Sequence, residues 1–131
     1  MGSFSDYWEN EILDHIFGKG SYTPPTIYVG LSTADPGDDG AGLSEPSGNG
    51  YARVATSASD WTSATSGALE NANTVEFDEA SGTWGTVTHF ALFDAVSGGH
   101  LLAHGALTQS KAIAGGDIVR FAAGDIDVSL D

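Results

Sequence analysis

Apolar and polar residues alternate along this chain with two different periods, and the change of period marks its organisation. Phe4, Trp8, Ile12 and Ile16 recur every four residues, with Leu13 and Phe17 widening the stripe, while Asp6, Glu9, Asn10, Glu11 and Asp14 take the positions between. Apolar residues at this spacing share one side of an α-helix and need a surface to pack on. The pattern predicts an amphipathic helix over about residues 5–18, followed by a β domain over about residues 22–131. Asp6 with Glu9 three residues on has the form of a capping box, the early acids suit the positive helix end, and Gly18, Lys19 and Gly20 supply a stop. The sheet of the same chain is the expected support for the stripe, with a neighbouring subunit as the alternative.

After Pro24 and Pro25 the period falls to two. Ile27, Val29 and Leu31 alternate with Tyr28, Gly30 and Ser32, the signature of a strand with one buried face. Further short strands are expected in "YARVATS", in "LENANTVEF", in "TWGTVTHFALFD", in "HLLAHGAL" and in "DIVRF". In "LENANTVEF" both Asn71 and Asn73 fall on the inward side. In "TWGTVTHFALFD", Val87, His89, Ala91 and Phe93 lie on one side and Thr88, Phe90 and Leu92 on the other. Apolar groups on both faces make this the expected central strand. The "SGG" after it predicts a hairpin into "HLLAHGAL". The closing "DIDVSLD" alternates strictly, with Ile126, Val128 and Leu130 inward. Strands at this spacing predict a mainly β fold, an antiparallel β-sandwich or small barrel with one N-terminal amphipathic helix, in a single domain spanning residues 1–131.

Between the first strand and "YARVATS" runs a connection of uncommon length, residues 33–50, with Pro36, Pro46 and five glycines. Loops this long in compact domains tend to be functional or mobile. The Ser/Thr/Ala-rich residues 55–68 surround Trp61, which is expected to anchor them.

Charge narrows the partners. Eighteen acidic residues stand against Lys19, Arg53, Lys111 and Arg120, for a formal charge of −14 spread along the chain. Such a surface repels phosphate, so neither nucleic acid nor an anionic membrane is an expected partner. No apolar run approaches the roughly 20 residues of a membrane span. The first residues lack the basic and apolar regions of a signal peptide, and Asp6 breaks the myristoylation pattern. The absence of cysteine removes disulfides, thiolate nucleophiles and Cys-based zinc sites.

Candidate chemistry is sparse. The acidic "DPGDDG" invites a calcium reading, yet counting from Asp35 puts Gly37 at the third and Pro46 at the twelfth position of an EF-hand loop, where oxygen ligands are required. Asp38 and Asp39 with Glu45 remain as weak calcium ligands, but Asp-Pro and Asp-Gly are ordinary turn chemistry, and a turn is expected. His100 and His104 share a strand face about 13 Å apart, too far to ligate one metal. His89 and His104 meet across the predicted hairpin with no acid evidently beside them, which favours structural roles. There is no G-x-S-x-G elbow, phosphate-binding loop or H-E-x-x-H. No catalytic, metal-binding or cofactor-binding residue is assigned, no cofactor is expected, and the chain is read as a non-enzyme.

Two stretches, "YTPPTIYVGLSTADPGDDGAGLSEPSGNGYARVA" and "ASGTWGTVTHFALFDAVSGGHLLAHGAL", together with the N-terminal "FSDYWENEILDHIFG", resemble a family of small virion proteins of tailed bacteriophages. Its members carry the labels head decoration, cement and tail-fibre-like protein. The resemblance implies a virion structural protein made in the host cytoplasm. The leading expectation is a capsid decoration or cement protein on the outer face of the head, bridging subunits of the major capsid protein and self-associating as a trimer or capsid-symmetry cluster. Each copy that bridges two subunits would stabilise the assembled shell. Phe4, Tyr7, Trp8 and Ile12 on the helix and Asp35, Asp38 and Asp39 on the long loop are the expected interface. One alternative is a tail-fibre, tail-tip or adaptor component that meets the host surface through exposed loop aromatics such as Tyr51 or Trp61. The other is a free-standing lectin-like or calcium-dependent binding module.

Overall fold

A computed structural model of the chain describes residues 2–130. Asp131, the last residue of the expected closing strand, lies outside them. The elements are β1 (Gly2–Phe4), α1 (Asp6–Ile16), β2 (Tyr28–Ser32), β3 (Val54–Ala55), a 3-10 turn (Ala58–Asp60), β4 (Ala68–Glu70), β5 (Val75–Glu76), β6 (Gly85–Phe93), β7 (Leu101–Ile113), β8 (Arg120–Phe121) and β9 (Asp127–Ser129). The fold is mainly β with one N-terminal helix. Seven strands in the order β3-β2-β6-β7-β1-β9-β4 form a sheet curled into a half-barrel, and β5 and β8 pair beside it. The central strand is β6, as its two apolar faces predict, and it forms the expected hairpin with β7.

Among the described residues every strand pairing is antiparallel except β1 with β9, which run parallel. That pair was not legible in the pattern, because "GSF" is too short and too polar to read as a strand. Its seat is steric. Gly2 pairs with Gly105 of β7, and a Cβ on either glycine would come within 2.7 Å of the Phe90 ring. The ring thus occupies the space that two side chains would need, and the strands close over it.

The core gathers Val29, Leu31, Phe90, Leu92 and Leu102 from the sheet with Phe77, Trp84, Phe121 and Ile126. Trp84 stands edge-on to Tyr51 at 5.2 Å and to Phe77 at 6.3 Å, the tilted arrangement that aromatic quadrupoles favour. Its indole N–H donates to the Asn49 carbonyl at 2.9 Å. Each fully buried large apolar side chain stabilises the fold by about 1.5–3 kcal/mol.

Local expectations fail where long-range contacts intervene. A register shift between Val87 and His89 interrupts the β6 alternation, so Val87 joins Phe90 and Leu92 in the core. "YARVATS" pairs only at Val54 and Ala55. "LENANTVEF" is two strands, because Asn71 is buried and ends β4 while Asn73 is exposed. The Asn71 amide donates to the carbonyls of Asn73 and Ala122, and its oxygen accepts from the N–H groups of Gly124 and Ile126. Ile126 and Val128 point inward as expected, but Leu130 is 61% exposed, since β9 ends at Ser129. The helix cap is Ser5, not Asp6: the Ser5 hydroxyl accepts from the Trp8 N–H at 3.2 Å and donates to the Leu101 carbonyl at 2.6 Å. That choice ties the start of α1 to β7 as well as capping it.

Candidate functional site

The long loop is folded back onto the sheet. Asp35 accepts from the Gly37 N–H at 3.0 Å and Asp39 from the Ala41 N–H at 2.9 Å, the short-range bonds of acidic turns. Pro36 is buried between them. Thr33 bonds to Ser44, and Ser44 to Ser32, closing the base of the loop. The turn reading of "DPGDDG" is therefore the observed one.

The loop lands on the two histidines that the hairpin brings together. His104 stands opposite Ala91 and His89 opposite Ala106, which places both imidazoles on the sheet face away from the core. His104 Nε2 donates to Asp38 at 3.0 Å. Asp35 lies 3.8 Å from His104 and 3.9 Å from His89. The sequence spacing showed no acid beside this pair, because the acids arrive from more than 50 residues away. Among the described residues no three His, Asp or Glu side chains are arranged to hold a metal ion. Thr88 Oγ1 lies 2.7 Å from His89 Nδ1, but the Asp35 side chain is 70% exposed, so no enclosed nucleophile and base are assembled there. The geometry fastens a loop. The Asp38 carbonyl also accepts from the Asp6 N–H at 2.9 Å, so this one residue joins loop, helix start and sheet.

Further along, the loop is locked by Arg53. Its Nε and Nη2 grip both oxygens of Glu45 at 2.7 and 2.8 Å, Nη1 donates to the carbonyls of Ala95 and Gly98, and the guanidinium lies 3.5 Å over the Phe93 ring. Tyr51 donates to Glu45 at 2.6 Å and accepts from the Leu31 N–H. Burial, and then that bond to a carboxylate, push the Tyr51 phenol far above its ordinary value. Tyr51 is thus part of the packed interior and not the exposed loop aromatic that the host-contact reading supposed. The signal missed in the sequence was scarcity: in a chain this acidic, an arginine just after a loop full of carboxylates has a specific partner.

On the other side of the molecule, α1 and the concave face of the half-barrel enclose an open apolar groove of about 780 Å³. Trp8 and Ile12 form its helical wall, Leu92 and Val128 belong to the sheet, and Trp61 and Leu69 face them. Trp61 is anchored as expected, its indole N–H donating to Thr56 at 2.9 Å. Tyr22 also lines the groove; burial raises its phenol, and the nearby Trp8 indole offsets part of that. The helix sits on the sheet by its first turns. Phe4 packs on Trp8 at 4.5 Å, and Tyr7 stacks on His100 at 3.9 Å, within 2° of parallel. Burial, with the charges of Glu11 and Asp94, raises the Tyr7 phenol. Beyond Ile12 the stripe is uncovered: Leu13, Ile16 and Phe17 are 55%, 70% and 73% exposed.

The expected interface residues therefore fall in two places. Phe4, Trp8 and Ile12 line the groove, Tyr7 fixes the helix to His100, and Asp35, Asp38 and Asp39 are exposed on the loop around its histidine clamp. Among the described residues no helix is long and apolar enough to cross a membrane.

The chain matches, over residues 3–129, the family described as podophage GP4 fiber I protein gp80. No curated protein matches it. The chain belongs to this phage fibre family, and with it to the virion proteins of tailed phages.

Proposed function

We propose that the chain is a non-enzymatic building block of the tail-fibre apparatus, a fibre or adaptor subunit. The observation that carries this reading is the fibre description of the family, matched over nearly the whole chain. It favours the tail station over the capsid exterior, so the cement reading with the major capsid protein as partner is the weaker of the two.

The structure supports a role in contact. Its longest loop is tied down by charge-assisted bonds, His89, His100 and His104 are engaged with acids of that loop and of the β6–β7 turn, and half of the exposed large apolar side chains among the described residues, Leu13, Ile16 and Phe17, lie at α1. A rigid platform that leaves one apolar face open is suited to be built into a larger assembly.

Quantitative mass spectrometry of purified heads and tails tests the proposal by counting this chain against the major capsid protein in each fraction. A few copies confined to tails is the expected result. A copy number comparable to that of the major capsid protein, confined to heads, would restore the cement reading.

A further inference from the structure

The apolar stripe of α1 is covered at one end only, and the groove beside it is continuous with the uncovered part. Ile12 lines the groove, and Ile16, one helical turn on, is 70% exposed. On the lining, Leu130 is 61% exposed. Exposed apolar surface of this extent, joined to a concave apolar groove, is the form of a site for a segment laid into it.

Charge says what kind of segment. No Lys, Arg, Asp or Glu side chain lines the groove. Acids crowd next to its lining residues in the chain: Glu11 and Asp14 beside Ile12 and His15, Asp60 beside Trp61, Glu70 beside Leu69, and Asp127 beside Val128. Three of the four cations stand elsewhere. Arg53 is held by Glu45, and Lys111 and Arg120 line a separate depression between β7 and β8. Lys19 follows the helix. The groove is therefore apolar within, on a chain whose formal charge of −14 favours a cationic approach from any side.

We infer that this surface receives a segment of a different virion protein, apolar along the face it buries and flanked by lysine or arginine. The inference rests on the reading of the chain as a virion component. A second copy of this chain fits poorly, because it would bring a surface of formal charge −14 against one of the same sign, and like charges across an interface oppose docking. A partner with basic flanks gains both the apolar burial and the attraction.

The test is photo-crosslinking in assembled virions that carry p-benzoylphenylalanine in place of Ile16 or of Leu130, with the crosslinked peptide identified by mass spectrometry. The expected adduct is a segment of another virion protein with apolar residues flanked by lysine or arginine. Crosslinks to a second copy of this chain, or to an acidic segment, overturn the inference; so does the absence of any crosslink in particles that contain the chain. A chain missing from the particles altogether would instead count against its virion role. Ile16→Lys and Ile16→Glu then test the sign of the charge. Because Ile16 is mostly exposed, both variants fold, and Ile16→Lys lowers incorporation into virions at least about tenfold and further than Ile16→Glu does. Equal losses, or the reverse ranking, contradict a basic partner.

Discussion

His104 Nε2 and the Asp38 carboxylate are joined at 3.0 Å although 66 residues separate them in the chain. The His104 side chain is 13% exposed and that of Asp38 45% exposed, so the bond is partly shielded from water and worth more than an open surface pair. Through the Asp38 carbonyl it also reaches the first turn of α1. His104→Ala should loosen the residues around Asp38 and the helix start together, at a cost of about 1 kcal/mol in global stability. Amide hydrogen exchange would show faster exchange at Gly37, Gly40 and Asp6. Unchanged protection at Asp6 would mean that the loop and helix are not coupled through Asp38.

Arg53 offers a sharper loss. Its guanidinium satisfies Glu45, two backbone carbonyls and the face of Phe93 at once. Arg53→Ala leaves the Glu45 carboxylate, 20% exposed, without its counter-charge, and should destabilise the fold by about 3–5 kcal/mol. Arg53→Lys keeps the charge but cannot reproduce the fork, so it should recover only part of the loss. Urea denaturation midpoints decide; a lysine variant as stable as the parent would show that the charge alone matters.

Asp94 carries a pH dependence of definite sign. Burial alone would raise its carboxyl, but the His100 N–H, the His100 imidazole and its charge together bring it below the ordinary 3.8. A carboxyl lowered on folding contributes stability above its unfolded value and loses it as pH falls through the folded one. Asp94→Asn should therefore be less stable than the parent near neutral pH, and the gap should close as pH drops below about 3.8. Thermal melts of both proteins across that range measure it. A gap that stays constant would assign the effect to packing.

At Asn71 the prediction concerns a side chain with four bonds and no solvent. Asn71→Ala would strip partners from the N–H groups of Gly124 and Ile126 and from two carbonyls. A loss of about 3 kcal/mol is expected, since buried polar groups left unpaired cost far more than a bond contributes. Chemical denaturation gives the value; a loss under about 1 kcal/mol would mean that water replaces the amide.

Sequence by itself determined the elements whose signals are local. The four-residue spacing of Trp8, Ile12 and Ile16 placed α1, although Phe4, read into the same stripe, belongs to β1; the alternation from Ile27 to Leu31 placed β2, and the "SGG" turn placed the β6–β7 hairpin. Asp35 and Asp39 form the turns their own neighbours dictate. In each case the deciding atoms lie within a few residues, so composition and period carry the information.

Tertiary structure decided the rest, because the deciding atoms come from far along the chain. Gly2 becomes a strand residue only when Gly105 and the Phe90 ring meet it. Asn71 turns inward because the backbone of residues 122–126 supplies three of its four bonds, and His104 becomes a clamp only when a loop from residues 33–50 arrives carrying Asp38. The helix stripe is the plainest case. Period shows that α1 has an apolar face; which part of it stays open depends on where the curled sheet ends beneath it.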